Sequence, residues 1–262
     1  MLDYGSYPEQ HRPYFTLRDA RLTLSATTGS ASLEGSIRAG LDNLTRKQLA
    51  RAWPREDGVE LWIERCLIDA NWASSTDVVY QFCRHSPFGG VLTPSHGRYV
   101  GAASMPFADY RRQPGDRFGH NWRMPAPVVN RAGRHVLFDT NYWKSFVHTR
   151  LAVPLGEKGC LSLYGERSEA HRQFADHLCA EYRVKTEGRG RTVDEWRARP
   201  SGGDNHWFDG LVGCAVAASM QGANLSELAP KPRPPRKEIS ITEQYNAARA
   251  RERAKGIYFD DN

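Results

Sequence analysis

The 262-residue sequence contains no G-x-x-x-x-G-K-[ST] run, which excludes a P-loop nucleotide site in this chain. No apolar run approaches the ~18 residues that a membrane span requires, so no membrane segment is expected. The first residues, Met1-Leu2-Asp3-Tyr4, lack the basic patch and apolar stretch of a secretory signal. Cysteine is scarce: Cys66, Cys83, Cys160, Cys179 and Cys214 make five, at wide spacing and without a C-x-x-C pair. That pattern argues against a disulfide framework or a zinc site, and for buried reduced thiols in a cytoplasmic protein. The H-E-x-x-H spacing is missing too, although His171 and His177 bracket one helical segment, so a zinc hydrolase is disfavoured. No internal repeat is present.

What remains is an ordinary globular composition, 40% hydrophobic and 25% charged. Lys plus Arg total 36 against 30 Asp plus Glu, a formal +6. A modest basic excess suits a polyanionic partner and suits plain surface charge equally well. Much of it is arginine, which favours planar phosphate contacts.

Residues 1–5 read as the end of a strand, and 14–26 as two strands meeting at a bend near Arg18-Asp19. Residues 32–53 carry Leu33, Ile37, Leu41, Leu44 and Leu49 at helical spacing. Residues 59–68 begin by alternating and turn fully apolar, as a central strand does. Ser74-Ser75 opens a helix whose inner face is Val78, Val79, Phe82 and Cys83, and Gly89-Gly90 leads into a short strand, Val91-Leu92. Residues 94–130 are rich in Gly, Pro and Arg and poorly periodic, which predicts a functional or mobile loop. Its arginines Arg98, Arg111, Arg112, Arg117 and Arg123 interleave with aromatic residues. Strands at 135–138 and 160–164, a helix at 141–151, a helix capped by Ser168, a hairpin across 181–185 and 191–196, and an apolar helix at 204–221 complete the pattern. Beyond Gly222 the composition changes to a stiff Pro/basic linker at 230–237 and a polar stretch with one short helix near 243–255. The expected organisation is an α/β domain with a mixed sheet at 1–222 and a flexible tail at 223–262.

Three acids stand out by position. Asp3 ends the first strand, Asp69 ends the best strand, and Asp209 lies on an otherwise apolar helix, three residues from His206 and on the same face. Burying an unpaired carboxylate is costly, so Asp209 calls for a partner. Oxygen ligands converging on one point suit Mg²⁺ or Mn²⁺, and a His ligand favours Mn²⁺. Taken singly, each has a plainer role: Asp69 as a turn or cap, Asp3 as an exposed terminal residue, His206 as a structural histidine. Asp139 also ends a strand, but by position it caps the following helix, on whose first turns Lys144 lies.

Taken together, several segments resemble the nuclease half of large terminase subunits of tailed phages, of the lambda type. They are Leu67-Ile68-Asp69-Ala70-Asn71-Trp72 with Val78-Val79-Tyr80-Gln81-Phe82, then Thr93-Pro94-Ser95-His96-Gly97. The D-T-x-x-x-K core from Asp139 to Lys144 with Arg150-Leu151, and Asn205-His206-Trp207-Phe208-Asp209, follow in order. Asp3-Tyr4-Gly5 with Pro8-Glu9-Gln10 resembles the family's first nuclease strand. The resemblance implies a ribonuclease H-like fold over roughly residues 1–222 and two-metal hydrolysis of concatemeric double-stranded viral DNA during packaging. It assigns Asp3, Asp69 and Asp209 as catalytic metal-binding acids and His206 as a fourth ligand for two Mg²⁺ or Mn²⁺ ions.

Arginines of 94–130 are expected to meet DNA phosphates. Family members carry a packaging ATPase ahead of this nuclease, and the sequence has none: either the ATPase is a separate chain, or the chain start is misplaced, or this is a prophage remnant. A separate ATPase, a small terminase subunit and a portal are the partners that the resemblance implies. The tail would dock the portal or remain solvated. Two alternatives stand beside the enzyme: an inactive DNA-binding or packaging accessory protein, as a truncated or prophage remnant would be, and another ribonuclease H-like nuclease acting on RNA–DNA hybrids or junctions.

Overall fold

Helical spacing and strand alternation build the elements locally. The computed structural model of the chain describes residues 1–72, 75–127, 133–165 and 167–223. The sequence readings at Ser74, 230–237 and 243–255 lie outside these described residues. In chain order the elements are α1 (Leu24–Thr28), α2 (Leu33–Leu49), β1 (Trp53–Pro54), β2 (Glu60–Leu61), β3 (Cys66–Asp69), α3 (Thr76–His85) and β4 (Leu92–Arg98). Then come β5 (Arg117–Gly119), β6 (Trp122–Met124), β7 (Val136–Asp139), α4 (Thr140–Leu151), α5 (Arg172–Cys179), β8 (Glu181–Gly188), β9 (Arg191–Ala198) and α6 (His206–Met220).

The central sheet has five strands in the order β3-β4-β7-β6-β5. The first three run parallel, and β6 and β5 are antiparallel additions at one edge. Apolar residues alternate between its two faces, as strand geometry requires. Leu67 faces the larger core, where Trp122, Met124, Val136 and Phe138 pack against Trp143, Val147, Phe174, Phe208 and Val212 of α4, α5 and α6. Cys66 and Ile68 face the other side, against Val79, Phe82 and Cys83 of α3 and Leu49 of α2. Burying each such aliphatic or aromatic side chain stabilises by roughly 1.5–3 kcal/mol. A mixed sheet with helices on both faces is the α/β, ribonuclease H-like architecture expected from the sequence. Among the described residues, no helix is long and apolar enough to cross a membrane.

Pro94 lies inside a central strand, where its missing N–H would normally break a ladder. The ladders are staggered: β3 pairs with Leu92 to Ser95, and β7 only from Ser95 to Arg98. Pro94 therefore has a partner on one side alone.

Several expectations are corrected. Residues 1–5 form no strand. The Met1 amino group donates to Ser162 O (2.7 Å), and Tyr4 packs among Phe174, Trp207, His171 and Tyr164. Residues 14–26 bend at Thr16–Asp19 as expected but are not strands, and they enter α1. Their backbone groups are bound by side chains: Gln173 holds both N–H and C=O of Phe15, Gln10 receives Arg21 N and Leu22 N, and Asp204 receives Leu17 N. Alternation misled there because Leu17 and Leu22 point to solvent.

Residues 59–68 divide into β2, which pairs with β1, and β3. Residues 160–164 are not a strand, and Ser168 lies within a short 3-10 turn rather than at a cap. The stretch 94–127 is not one open loop, and residues 128–130 lie outside the described residues. It contains most of β4 and the whole β5–β6 hairpin, whose short strands are masked in sequence by Gly, Pro and Arg. The hairpin of β8 and β9 is longer than expected and turns on Arg189-Gly190, both at positive φ, as a tight two-residue turn requires. Of the thiols, Cys83 is buried as expected, but Cys179 and Cys214 are exposed.

Candidate active site

Asp69 is the last residue of β3, an outer strand of the parallel ladder, in register with Ser95. Its carboxylate accepts Asn71 N (3.0 Å), so it fixes the turn that follows while remaining exposed. Acids in this place stand at the carboxyl edge of parallel strands, where open α/β sheets bind ligands. Asp209 lies in the opening turn of α6, near the helix end that favours anions. Its side chain is 50% exposed.

The two acids lie within electrostatic reach of each other. Partial burial raises the Asp209 pKa, Lys144 opposes the rise, and the Glu181 and Asp69 charges add to it. Lys144 is the organising cation. Its ammonium contacts Glu181 Oε1 (2.7 Å), Glu181 Oε2 (2.8 Å) and Asp209 Oδ1 (2.9 Å). Asn205 Nδ2 also donates to Glu181 Oε1 (2.6 Å). Lys144 and Glu181 are both buried. The sequence reading did not pick out Glu181. The available signal was Lys144 itself, a charge on the stripe of α4 that also carries Trp143 and Val147.

Asp139 caps α4 by accepting Tyr142 N (3.1 Å), as its position suggested. Burial pushes its carboxyl up to about 6.

Asp3 and His206 stand differently. Asp3 is exposed, and its carboxylate binds Arg51 (3.3 Å), whose guanidinium lies over Trp53. His206 is exposed at the first position of α6, with its ring 6.3 Å from that of His177. His177 is buried, and its Nδ1 accepts Trp207 N (3.2 Å), which caps the helix. Burial lowers the His177 pKa and keeps that nitrogen free to accept. Among the described residues, no three His, Cys, Asp or Glu side chains are grouped to hold a metal ion. The carboxylate pair Asp69 and Asp209 fits the way Mg²⁺ is commonly bound, by one or two carboxylates with substrate phosphates completing the shell.

The arginines expected to meet DNA are all placed. Arg98 ends β4, Arg117 and Arg123 lie on the edge hairpin, and Arg111 and Arg112 precede it. Arg98, Arg111, Arg112 and Arg117 are exposed. Arg112 lies over Phe118 (5.0 Å) and Arg123 over Tyr110 (4.1 Å).

Comparison with protein families matches residues 34–230 to the family described as terminase large subunit gpA, endonuclease domain. That span covers most of the chain and includes Asp69, Lys144, Glu181 and Asp209. Neither the curated proteins nor the solved structures gave a match. The chain belongs to the terminase large-subunit endonuclease family.

Proposed function

We propose that this terminase-family endonuclease cuts concatemeric double-stranded viral DNA in the cytoplasm of a bacterial host, and that it depends on a divalent metal. The pairing of Asp69 with Asp209 at the carboxyl edge of the sheet carries the reading. One acid comes from a strand end and the other from the closing helix, and a buried lysine sets the second.

Asp69 and Asp209 are the residues that would hold Mg²⁺ or Mn²⁺. A divalent cation supplies Lewis-acid activation of water and of the scissile phosphodiester. The protein's own part is positional. The Asn71 N–H fixes the Asp69 carboxylate, Lys144 fixes the Asp209 carboxylate, and the α6 opening turn keeps negative charge favourable there. The four-residue, two-ion arrangement requires Asp3 to leave Arg51 and His206 to join it. Exposed arginines along the edge hairpin bind the DNA backbone with weak sequence preference and strong salt dependence. A packaging ATPase, a small terminase subunit and a portal act with it.

Nicking of supercoiled plasmid tests the reading. The wild-type chain is expected to nick with Mg²⁺ or Mn²⁺ and to stop when EDTA is added. Asp69→Asn and Asp209→Asn are expected to fold normally and lose cutting by at least a hundredfold. An Asp69→Asn protein that nicks at the wild-type rate overturns the assignment.

A further inference from the structure

The face of the sheet turned toward α3 gathers two of the arginines already expected at DNA phosphates, Arg98 and Arg123, with a cluster of rings and a further arginine that the reading so far leaves out. His96 of β4 and His135, just ahead of β7, meet edge to face with ring centroids 5.3 Å apart. Tyr80 of α3 stands 5.9 Å from each ring. Hydrogen bonds fix the arrangement. His96 Nδ1 donates to Asn71 Oδ1 (2.8 Å), the Asn71 amide donates to Gly97 O (3.1 Å), and His96 Nε2 accepts from the Tyr80 hydroxyl (2.8 Å).

Two guanidinium groups, of Arg98 and Arg123, lie within electrostatic reach of these rings, and a third, of Arg84, lies beside Gly133, two residues before His135. Arg98 lies two residues further along β4, and Arg123 comes from β6 with its guanidinium over Tyr110. Arg84 reaches over from α3: its Nη2 lies 3.9 Å from where a β-carbon on Gly133 would stand. Among the described residues, none of Arg84, Arg98 and Arg123 forms a salt bridge. The nearby acids are Asp69, within electrostatic reach of His96, and Asp116, within reach of Arg123. Arg98 also works against a proton on either imidazole, and burial keeps both rings on the neutral side. The three guanidinium groups outnumber the two acids within reach, and a polyanion relieves the excess positive charge.

We propose that this face seats the phosphate backbone of the DNA duplex away from the scissile bond, with Arg84, Arg98 and Arg123 each at a phosphate and the Tyr80–His96–His135 rings as a rigid floor. The inference rests on the nuclease reading, because Asn71 ties the floor to the turn beginning at Asp69. It adds Arg84 and the α3 side of the sheet to the DNA path.

The test is fluorescence anisotropy with a labelled DNA duplex in EDTA, where cutting stops, at several salt concentrations. Removing one arginine from a phosphate should lower the slope of log affinity against log salt by about 0.9. Arg84→Gln and Arg98→Gln are each expected to flatten the slope by about one unit, and the double variant by about two. Both residues are exposed, so thermal unfolding should stay at the wild-type midpoint. Arg189→Gln, at the tip of the β8–β9 hairpin, should leave binding unchanged. Wild-type affinity and slope in the double variant, in a protein that still cuts plasmid, overturn the seat and leave the nuclease reading intact. A wild-type chain that neither binds nor cuts DNA overturns both.

Discussion

The Lys144 ammonium contacts Asp209 Oδ1 at 2.9 Å while holding both oxygens of the buried Glu181 carboxylate. One cation thus joins α4, β8 and α6, and a candidate catalytic acid is one of its three contacts. Removing the lysine strands Glu181 in a buried place, a change that costs about 3–5 kcal/mol. Lys144→Met is therefore expected to lower stability to urea by that amount, and Lys144→Met with Glu181→Leu to recover most of it. Equal urea midpoints for Lys144→Met and wild type would show that the tie contributes nothing.

Asp139 predicts a pH dependence. Burial raises its carboxyl from the ordinary 3.8 to about 6. The folded chain then holds the proton more tightly than the unfolded chain does. The stability gained is full below about pH 4 and is lost as the pH rises through about 6. Asp139→Asn keeps an oxygen for the Tyr142 N–H. It is expected to flatten stability between pH 4 and 6, and to stabilise at pH 7 by up to about 3 kcal/mol. Chemical denaturation across that range measures it.

The thiols should divide in reactivity. Burial pushes the Cys83 thiol up to about 12 and Cys66 to about 11. Cys179 and Cys214 are exposed. Burial also raises the Cys214 thiol despite its surface exposure, so a thiol reagent at neutral pH is expected to label Cys179 first, with Cys66, Cys83 and Cys214 slower. Mass spectrometry of timed samples gives the order, and early labelling of Cys83 contradicts it.

Gln10 is buried, and its side chain binds Arg21 N, Leu22 N and Leu22 O. Replacing it with Ala leaves these backbone groups without their partner. Gln10→Ala is expected to destabilise by about 1–3 kcal/mol and to speed limited proteolysis within residues 11–22. An unchanged cleavage pattern counts against this role.

Elements bearing a full helical or alternating pattern were legible. Val78, Val79, Phe82 and Cys83 marked the inner face of α3, and the 181–198 hairpin was visible from its alternation and its Arg189-Gly190 turn. Where side chains rather than a ladder hold the backbone, the pattern misled. Residues 14–26 alternate like strands, yet Gln10, Gln173 and Asp204 take their hydrogen bonds. The β5–β6 hairpin escaped notice because three-residue strands among Gly, Pro and Arg carry too little periodicity. Asp69 and Asp209 were legible by position. Glu181 was not, because its role depends on Lys144, 37 residues away.

The clasp at residues 1–22 has a consequence for the order of assembly. Met1 meets Ser162, Tyr4 meets His171, Gly5 meets Trp207, Phe15 meets Gln173 and Leu17 meets Asp204. Every one of these partners is made long after the segment that needs it. During synthesis residues 1–22 precede these five partners by more than half the chain, and only nearer contacts such as Asp3 with Arg51 and Gln10 with Leu22 can form early. Such distant pairings are slow to close, so this stretch is the last to settle and the part most exposed to chaperones and proteases until α5 and α6 arrive.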